Sequence, residues 1–252
     1  MKIIYSGISD VGLKRKINQD AIFFSSDKEC EVYLFAVADG MGGHFNGEIA
    51  SQTIVMGMRD WLDNFSKDYH NTKGFSGIMI SLRNKLEQIN AEIYSKYNQQ
   101  NICGSTCVIL VIYQDMYGVI SIGDSRVYLR RGLKLKSLME DDVWENQVDI
   151  RENLDIREIK EHPNYGKLVH AVGTNKDISI SVKTDCLKSK DTFLLCSDGL
   201  YKYCELKDMK KAMAQIDESN IDSKIHKIIE KVYKKGAKDN VSVILVKCER
   251  GR

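Results

Sequence analysis

Three aspartates stand where apolar runs of the sequence end. Asp39, in Asp39-Gly40, follows VYLFAVA; Asp198, in Asp198-Gly199, follows TFLLCS; Asp239, beside Asn240, precedes VSVILV. Runs of that length and β-branched content predict strands. A strand delivers its last side chain to the rim of its sheet, so aspartates from three distant segments can meet there. Carboxylate oxygens gathered in this way suit hard divalent cations. The glycine after two of them lets the backbone turn tightly and leaves a carbonyl free as a further ligand. The chemistry such a set would do is metal-assisted. A single Asp-Gly is first of all a turn dipeptide, so the case depends on the residues around it and on the elements that position them.

Short runs rich in β-branched and aromatic residues predict strands over 2–8, 20–25, 32–38, 106–113, 117–122, 126–131, 178–183, 192–197 and 240–247. The brief connections Gln114-Asp115 and Gly123-Asp124-Ser125 imply antiparallel pairing, because parallel neighbours need long crossovers. Three- and four-residue apolar spacing predicts helices over 46–64, 75–97, 205–215 and 221–235, the last with Ile221, Ile225, Ile228, Ile229 and Val232 on one face. Helices in pairs and strands in groups point to an α+β fold, a four-layer α-β-β-α sandwich of two antiparallel sheets with helix pairs outside. Residues 137–177 fit neither pattern and read as a partly helical surface insertion, the kind of segment in which substrate choice resides.

Composition narrows the function. Hydrophobic content of 43% and charged content of 29% describe an ordinary globular chain, and a formal net charge of +2 gives no mandate for nucleic acid or membrane. The densest basic run, Lys14-Arg15-Lys16, is too short for a nucleic-acid stripe. No apolar stretch approaches the roughly 18–20 residues of a membrane span, and MKIIYSGISD lacks a signal-peptide core, so a cytoplasmic location is expected. Seven cysteines without a C-x-x-C pair suggest reduced core thiols rather than disulfides or a zinc ribbon. With one proline, Pro163, and no low-complexity linker, residues 1–252 are expected to form one domain.

Further motifs surround the aspartates: GLKRKINQD at 12–20, DGMGGHFNGEIAS at 39–51, GSTCVILVI at 104–112, IGDSRVYLRR at 122–131, HPNYGKLVHAVG at 162–173, LLCSDGL at 194–200 and KDNVSVILV at 238–246. In this order and at these intervals the chain resembles the metal-dependent protein phosphatases, the protein phosphatase 2C group of serine/threonine phosphatases, over nearly its whole length. The DGMGGH form is similar to the group's bacterial members.

The resemblance implies a binuclear Mg²⁺ or Mn²⁺ centre in which Asp39 bridges two ions, the Gly40 carbonyl completes one site, and Asp198 and Asp239 hold the other. Asp20 would bond metal-bound water, and Asp124 would share a third, looser ion with Asp198. Arg15 would hold the phosphate, since a guanidinium matches phosphate oxygens bidentately. Water activated between the ions would attack phosphorus in line without a phosphoenzyme. The general acid stays open among His44, His162 and metal-bound water. A serine/threonine kinase and its phosphorylated targets are the expected partners, with no nucleic acid, no membrane and a monomeric protein. Three positions depart from the family pattern: Gln19 stands where Glu is common, Asp141-Asp142-Val143 where Asp-His-Ser opens the flap, and Tyr165-Gly166 where Arg-Asn follows His-Pro. Two rival readings are a catalytically silent relative that binds phosphoproteins, and a metal-dependent nuclease or small-molecule phosphatase.

Overall fold

The computed structural model describes residues 1–42, 47–68, 74–97 and 103–249. The first half runs β1 (Lys2–Asp10), β2 (Asp20–Asp27), β3 (Val32–Met41), α1 (Gly47–Asp68), α2 (Gly74–Tyr97), β4 (Gly104–Ser105), β5 (Cys107–Tyr113) and β6 (Met116–Ile122). Then come β7 (Arg126–Arg131), β8 (Lys134–Ser137), a 3₁₀ turn (Trp144–Asn146), α3 (Val148–Asn153), α4 (Ile156–Glu161), β9 (Ser181–Cys186), β10 (Thr192–Cys196), α5 (Asp198–Tyr201), α6 (Leu206–Ala212), α7 (Ile221–Lys234) and β11 (Val241–Glu249).

The strands form two antiparallel sheets, β1-β11-β10-β7-β8 and β2-β3-β5-β6-β9, with β4 added to β3. Phe35, Leu110, Phe193 and Ile244 fill the space between them. Every residue of β5 is buried, because one face meets the opposite sheet and the other meets helices. Alternation is lost where both faces are covered, and a continuous apolar run replaces it. On α1, Ala50, Ile54, Met58 and Phe65 lie against the second sheet together with Ile78, Leu82 and Leu86 of α2. Ile225, Ile228 and Val232 of α7 cover the first sheet with Met209 of α6. These are the four layers that the periodicity predicts.

Local differences are informative. The expectation that Gly123-Asp124-Ser125 closes a hairpin is wrong: β6 and β7 lie in different sheets, so this short turn carries the chain from one sheet to the other. Asp124 therefore sits at the seam between the sheets. β8, of sequence KLKS and mostly exposed, has no apolar signature and was not predicted. The strand expected at 178–183 begins three residues later, at Ser181, and is also mostly exposed. Within 137–177, helical turns are present as expected.

Candidate active site

At one end of the sandwich a cavity of about 330 Å³ is lined by Asp39, Asp124, Asp198 and Asp239, with Arg15, Gln19, Gly40 and Lys202. Asp39 lies within β3, directly opposite Asp20 at the start of β2. Asp198 opens α5 just past β10, and Asp239 precedes β11. Gly40 lies in extended backbone of β3, not in a turn. A Cβ there would come within 2.1 Å of the Gly47 carbonyl oxygen, and one at Gly199 within 1.8 Å of the Asn240 oxygen. Both glycines thus permit close backbone approach, which corrects the turn expected from the sequence.

Asp20 lies behind the cavity wall. Its Oδ2 accepts hydrogen bonds from Ser197 Oγ and Ser242 Oγ, each at 2.7 Å, while its buried Oδ1 has no partner. Arg15 reaches Asp239 with both Nη2 and Nε at 2.9 Å, and Lys202 pairs with Asp198. Tyr201 donates to Asp124 at 3.0 Å.

The electrostatics are those of crowded, partly desolvated acids. Burial first, and then the charges of Asp20, Asp198, Asp124 and Asp239, hold the Asp39 carboxyl well above the ordinary carboxylate range. Burial also pushes Asp20 up to about 6, against the two serine hydrogen bonds. Asp124 is raised by burial and by Asp198, with Tyr201 and Lys202 opposing. The Arg15 guanidinium is raised by its bond to Asp239. Such an arrangement is costly without added positive charge.

The donor set fits a hard divalent cation: oxygen only, with one buried carboxylate oxygen left without a partner. Among the described residues no three His, Cys, Asp or Glu gather closely enough to hold an ion between them. The aspartates are instead spread around the cavity wall. One or two carboxylates with water completing the shell is how Mg²⁺ is commonly held.

Several supporting residues went unrecognised in the sequence. Asn240 accepts from the Gln19 N–H at 2.9 Å and donates to the Val11 and Ile17 carbonyls at 3.0 Å, fixing the loop that carries Arg15. Thr106 Oγ1 accepts from the Asp39 N–H at 3.1 Å and lies 2.7 Å from Ser125 Oγ, tying β3 to the inter-sheet turn. Arg126 stacks 3.6 Å over the Tyr201 ring and pairs with Asp141. Asn240 and Thr106 fall inside the motifs KDN and GST, the only sequence signal for them. Nothing in the sequence signals that Lys202 or Tyr201 turns toward the site.

His162 is not brought to the cavity. It stacks on Trp144 with ring centroids 4.0 Å apart, and its Nδ1 accepts from the Asn164 N–H. His44 lies outside the described residues. The divergent segment does reach the site: Gly166 and Leu168 line the cavity, and Asp142 pairs with His170 at 2.9 Å. The seven cysteines form no disulfide with one another, and none lines the cavity.

Known proteins share this α+β sandwich of two antiparallel sheets. The family model for protein phosphatase 2C matches residues 14–242, and the chain belongs to that family. It is 28% identical to the serine/threonine phosphatase Stp of Listeria monocytogenes, over 94% of this chain and 93% of that one. It is 27% identical to the serine/threonine protein phosphatase PstP of Mycobacterium tuberculosis, over 96% of this chain but only 44% of PstP, so it spans less than half of that relative. The serine/threonine phosphatase of S. agalactiae superposes with a TM-score of 0.85 at 26% identity, covering 98% of this chain and 100% of that one. The catalytic domain of PstP, crystallised with two manganese ions, superposes with a TM-score of 0.76 at 25% identity, over 98% of this chain and 99% of that one.

Proposed function

We propose that the protein is a metal-dependent serine/threonine protein phosphatase that opposes a bacterial serine/threonine kinase. The carrying observation is one open cavity lined by four aspartates from separate segments, with a guanidinium beside them. In this reading Asp39, with the Gly40 carbonyl, and Asp198 with Asp239 hold Mg²⁺ or Mn²⁺ ions, and Asp124 faces a third position. The bound ions would supply Lewis-acid stabilisation and activate water at neutral pH.

The chain's own residues do the rest. Arg15 is held in a bidentate pair with Asp239, so its charge is already aimed into the cavity, and a phosphate has only to share it. Asp20, tied to Ser197 and Ser242, keeps its unpartnered oxygen available to accept a proton-bearing ligand. Asn240 fixes the Arg15 loop against β11, so phosphate binding requires no ordering of that loop. Leu168 and Gly166 bring the divergent segment to the cavity wall, where it would meet the peptide around the phosphorylated residue. The reading takes residues 1–252 as one catalytic domain, monomeric and cytoplasmic. Among the described residues no helix is long and apolar enough to cross a membrane.

The test is phosphate release from a phosphothreonine peptide with Mn²⁺, with chelator, and with Asp239→Asn. Release that needs Mn²⁺ and collapses in the variant is expected. Release undiminished after stripping of divalent metal would sink the mechanism, and absence of release from folded, Mn²⁺-loaded protein would point to a phosphoprotein-binding relative.

A further inference from the structure

The outer face of the first sheet carries a second cavity that the proposed reaction does not use. It lies between α6 and α7 and has a volume of about 330 Å³. Five lysines line it, Lys211, Lys224, Lys227, Lys231 and Lys234, against two carboxylates, Asp208 and Glu230. Four of the lysines come from α7 at three- and four-residue spacing, which sets them along one stripe of the helix. Ile221, Ile225, Ile229 and Val232 of the same helix face the core. Ala212 and Ile228 add apolar surface to the groove.

Much of this positive charge is uncompensated. Lys231 is spent on Asp208, at 2.6 Å, which clamps α6 to α7. Lys224 donates to the Ala214 carbonyl, and burial together with the neighbouring Lys227 charge holds its ammonium below the usual range. Lys211, Lys227 and Lys234 are exposed, and none of their side-chain ammonium groups makes a hydrogen bond or ion pair among the described residues. A chain of net charge +2 thus concentrates cations in one concave place.

The groove also points at the active site. Ser6 of β1 donates to Asp222 at the start of α7, and Tyr233 near its end donates to Asp10, the last residue of β1. α7 therefore runs alongside β1 toward the rim where Arg15 and Asp239 pair. Beyond α7, Leu13 N–H bonds the Ala237 carbonyl at 2.9 Å, which sets the segments that carry the exposed Lys14 and Lys238 side by side.

We infer that the α6/α7 groove is a docking site for an acidic, Asp/Glu-rich segment of the phosphoprotein substrate, engaged while the phosphorylated residue lies in the aspartate cavity. The substrate role rests on the proposed phosphatase activity; binding of the acidic segment does not. The link from Lys234 to Asp239 spans at most about 17 Å, and Lys227 to Lys234 covers about 10 Å of helix. An extended peptide crosses that distance in about five to eight residues.

Two measurements test this. In the first, a fluorescein-labelled, unphosphorylated glutamate-rich peptide is titrated with wild type, with Lys227→Glu/Lys234→Glu and with Lys211→Glu on the facing helix, thermal melts checking that each is folded. Binding that weakens with salt and drops about tenfold in the double variant and severalfold in Lys211→Glu is expected. Undiminished binding in the variants overturns the site. Equal, variant-sensitive binding of single-stranded DNA of the same charge also overturns it, in favour of a general polyanion surface. In the second, KM is compared for phosphothreonine peptides carrying a glutamate or a glutamine run about six residues from the phosphate. A KM about three- to tenfold lower for the glutamate peptide, lost in the double variant while p-nitrophenyl phosphate turnover is kept, supports docking. Turnover of both peptides with one KM sinks the groove alone. Turnover of neither sinks the phosphatase reading and the substrate role with it.

Discussion

Strand β10 has an aspartate at each end, and the two are treated in opposite ways. Asp191, just before Thr192, is fully buried and complete: Arg131 donates to it through Nε at 2.9 Å and Nη2 at 2.7 Å, and the Lys188 N–H adds a third bond at 2.9 Å. Asp198, just past Cys196, pairs with Lys202 but shares an open cavity with Asp39, Asp124 and Asp239. A buried carboxylate whose partners all come from the chain holds the structure together. Carboxylates crowded beside one another at a cavity, with an oxygen of Asp20 behind them unpartnered, mark a place where the chain expects charge from outside.

The difference can be broken at either end. Asp39→Asn should have the largest effect, lowering phosphate release by about 10³-fold, the scale of removing one essential electrostatic contact. The same change relieves like-charge crowding, so the chelated variant should melt about 2–4 °C higher for each kcal/mol relieved. A steady-state assay beside a thermal melt reads both, and a lower melting point would count against the charge account. At the other end, Asp191→Ala should cost about 2–3 kcal/mol of unfolding free energy by urea titration. That lies below the range for a fully buried pair because Arg131 is partly exposed and keeps Asp185 at 3.7 Å. Turnover per folded molecule should stay within about twofold of wild type.

Arg15→Lys keeps the charge but loses the fork, and should raise KM for a phosphothreonine peptide by about tenfold with kcat little changed. An unchanged KM would remove Arg15 from the phosphate site. Tyr201→Phe should have the smallest effect, about 1 kcal/mol or less, because it removes only the hydrogen bond to Asp124 and leaves the ring under Arg126. Mn²⁺ titration would show it as a shift of a few fold in the weakest binding step, and no shift would detach Asp124 from cation binding.

The layered fold was legible because its signals are local and strong: apolar runs such as CVILVIY and the isoleucine stripe of α7 specify burial whatever their neighbours. β8 was invisible because a four-residue edge with a single apolar residue, Leu135, between exposed lysines leaves no pattern to read. The inter-sheet turn at Gly123–Ser125 was misread because two or three turn residues look alike whether the chain folds back or crosses over; the choice lies in which sheet receives β7. The aspartates that line the cavity were legible through strand ends and motifs. Their supports were not, since the bonds of Asn240, Ser197 and Lys202 depend on neighbours that the sequence places far away or leaves pointing in any direction. Gly40 and Gly199 were noticed for the wrong reason, because close approach between backbones leaves no mark beyond the glycine itself.

The central place of β11, between β1 and β10, sets when the aspartate cavity can first form. Asp20 bonds Ser197 and Ser242 at sequence separations of 177 and 222, and Arg15 reaches Asp239 at a separation of 224. Contacts so distant along the chain close late. During synthesis the amino-terminal half, with its helices and the β2-β3-β5-β6 ribbon, can be largely in place while the aspartate cavity does not yet exist. On the proposed reading, a newly made molecule lacks activity until the strand beginning at Val241 has slotted between two strands already made, and recovery of turnover should lag behind recovery of helical signal on refolding.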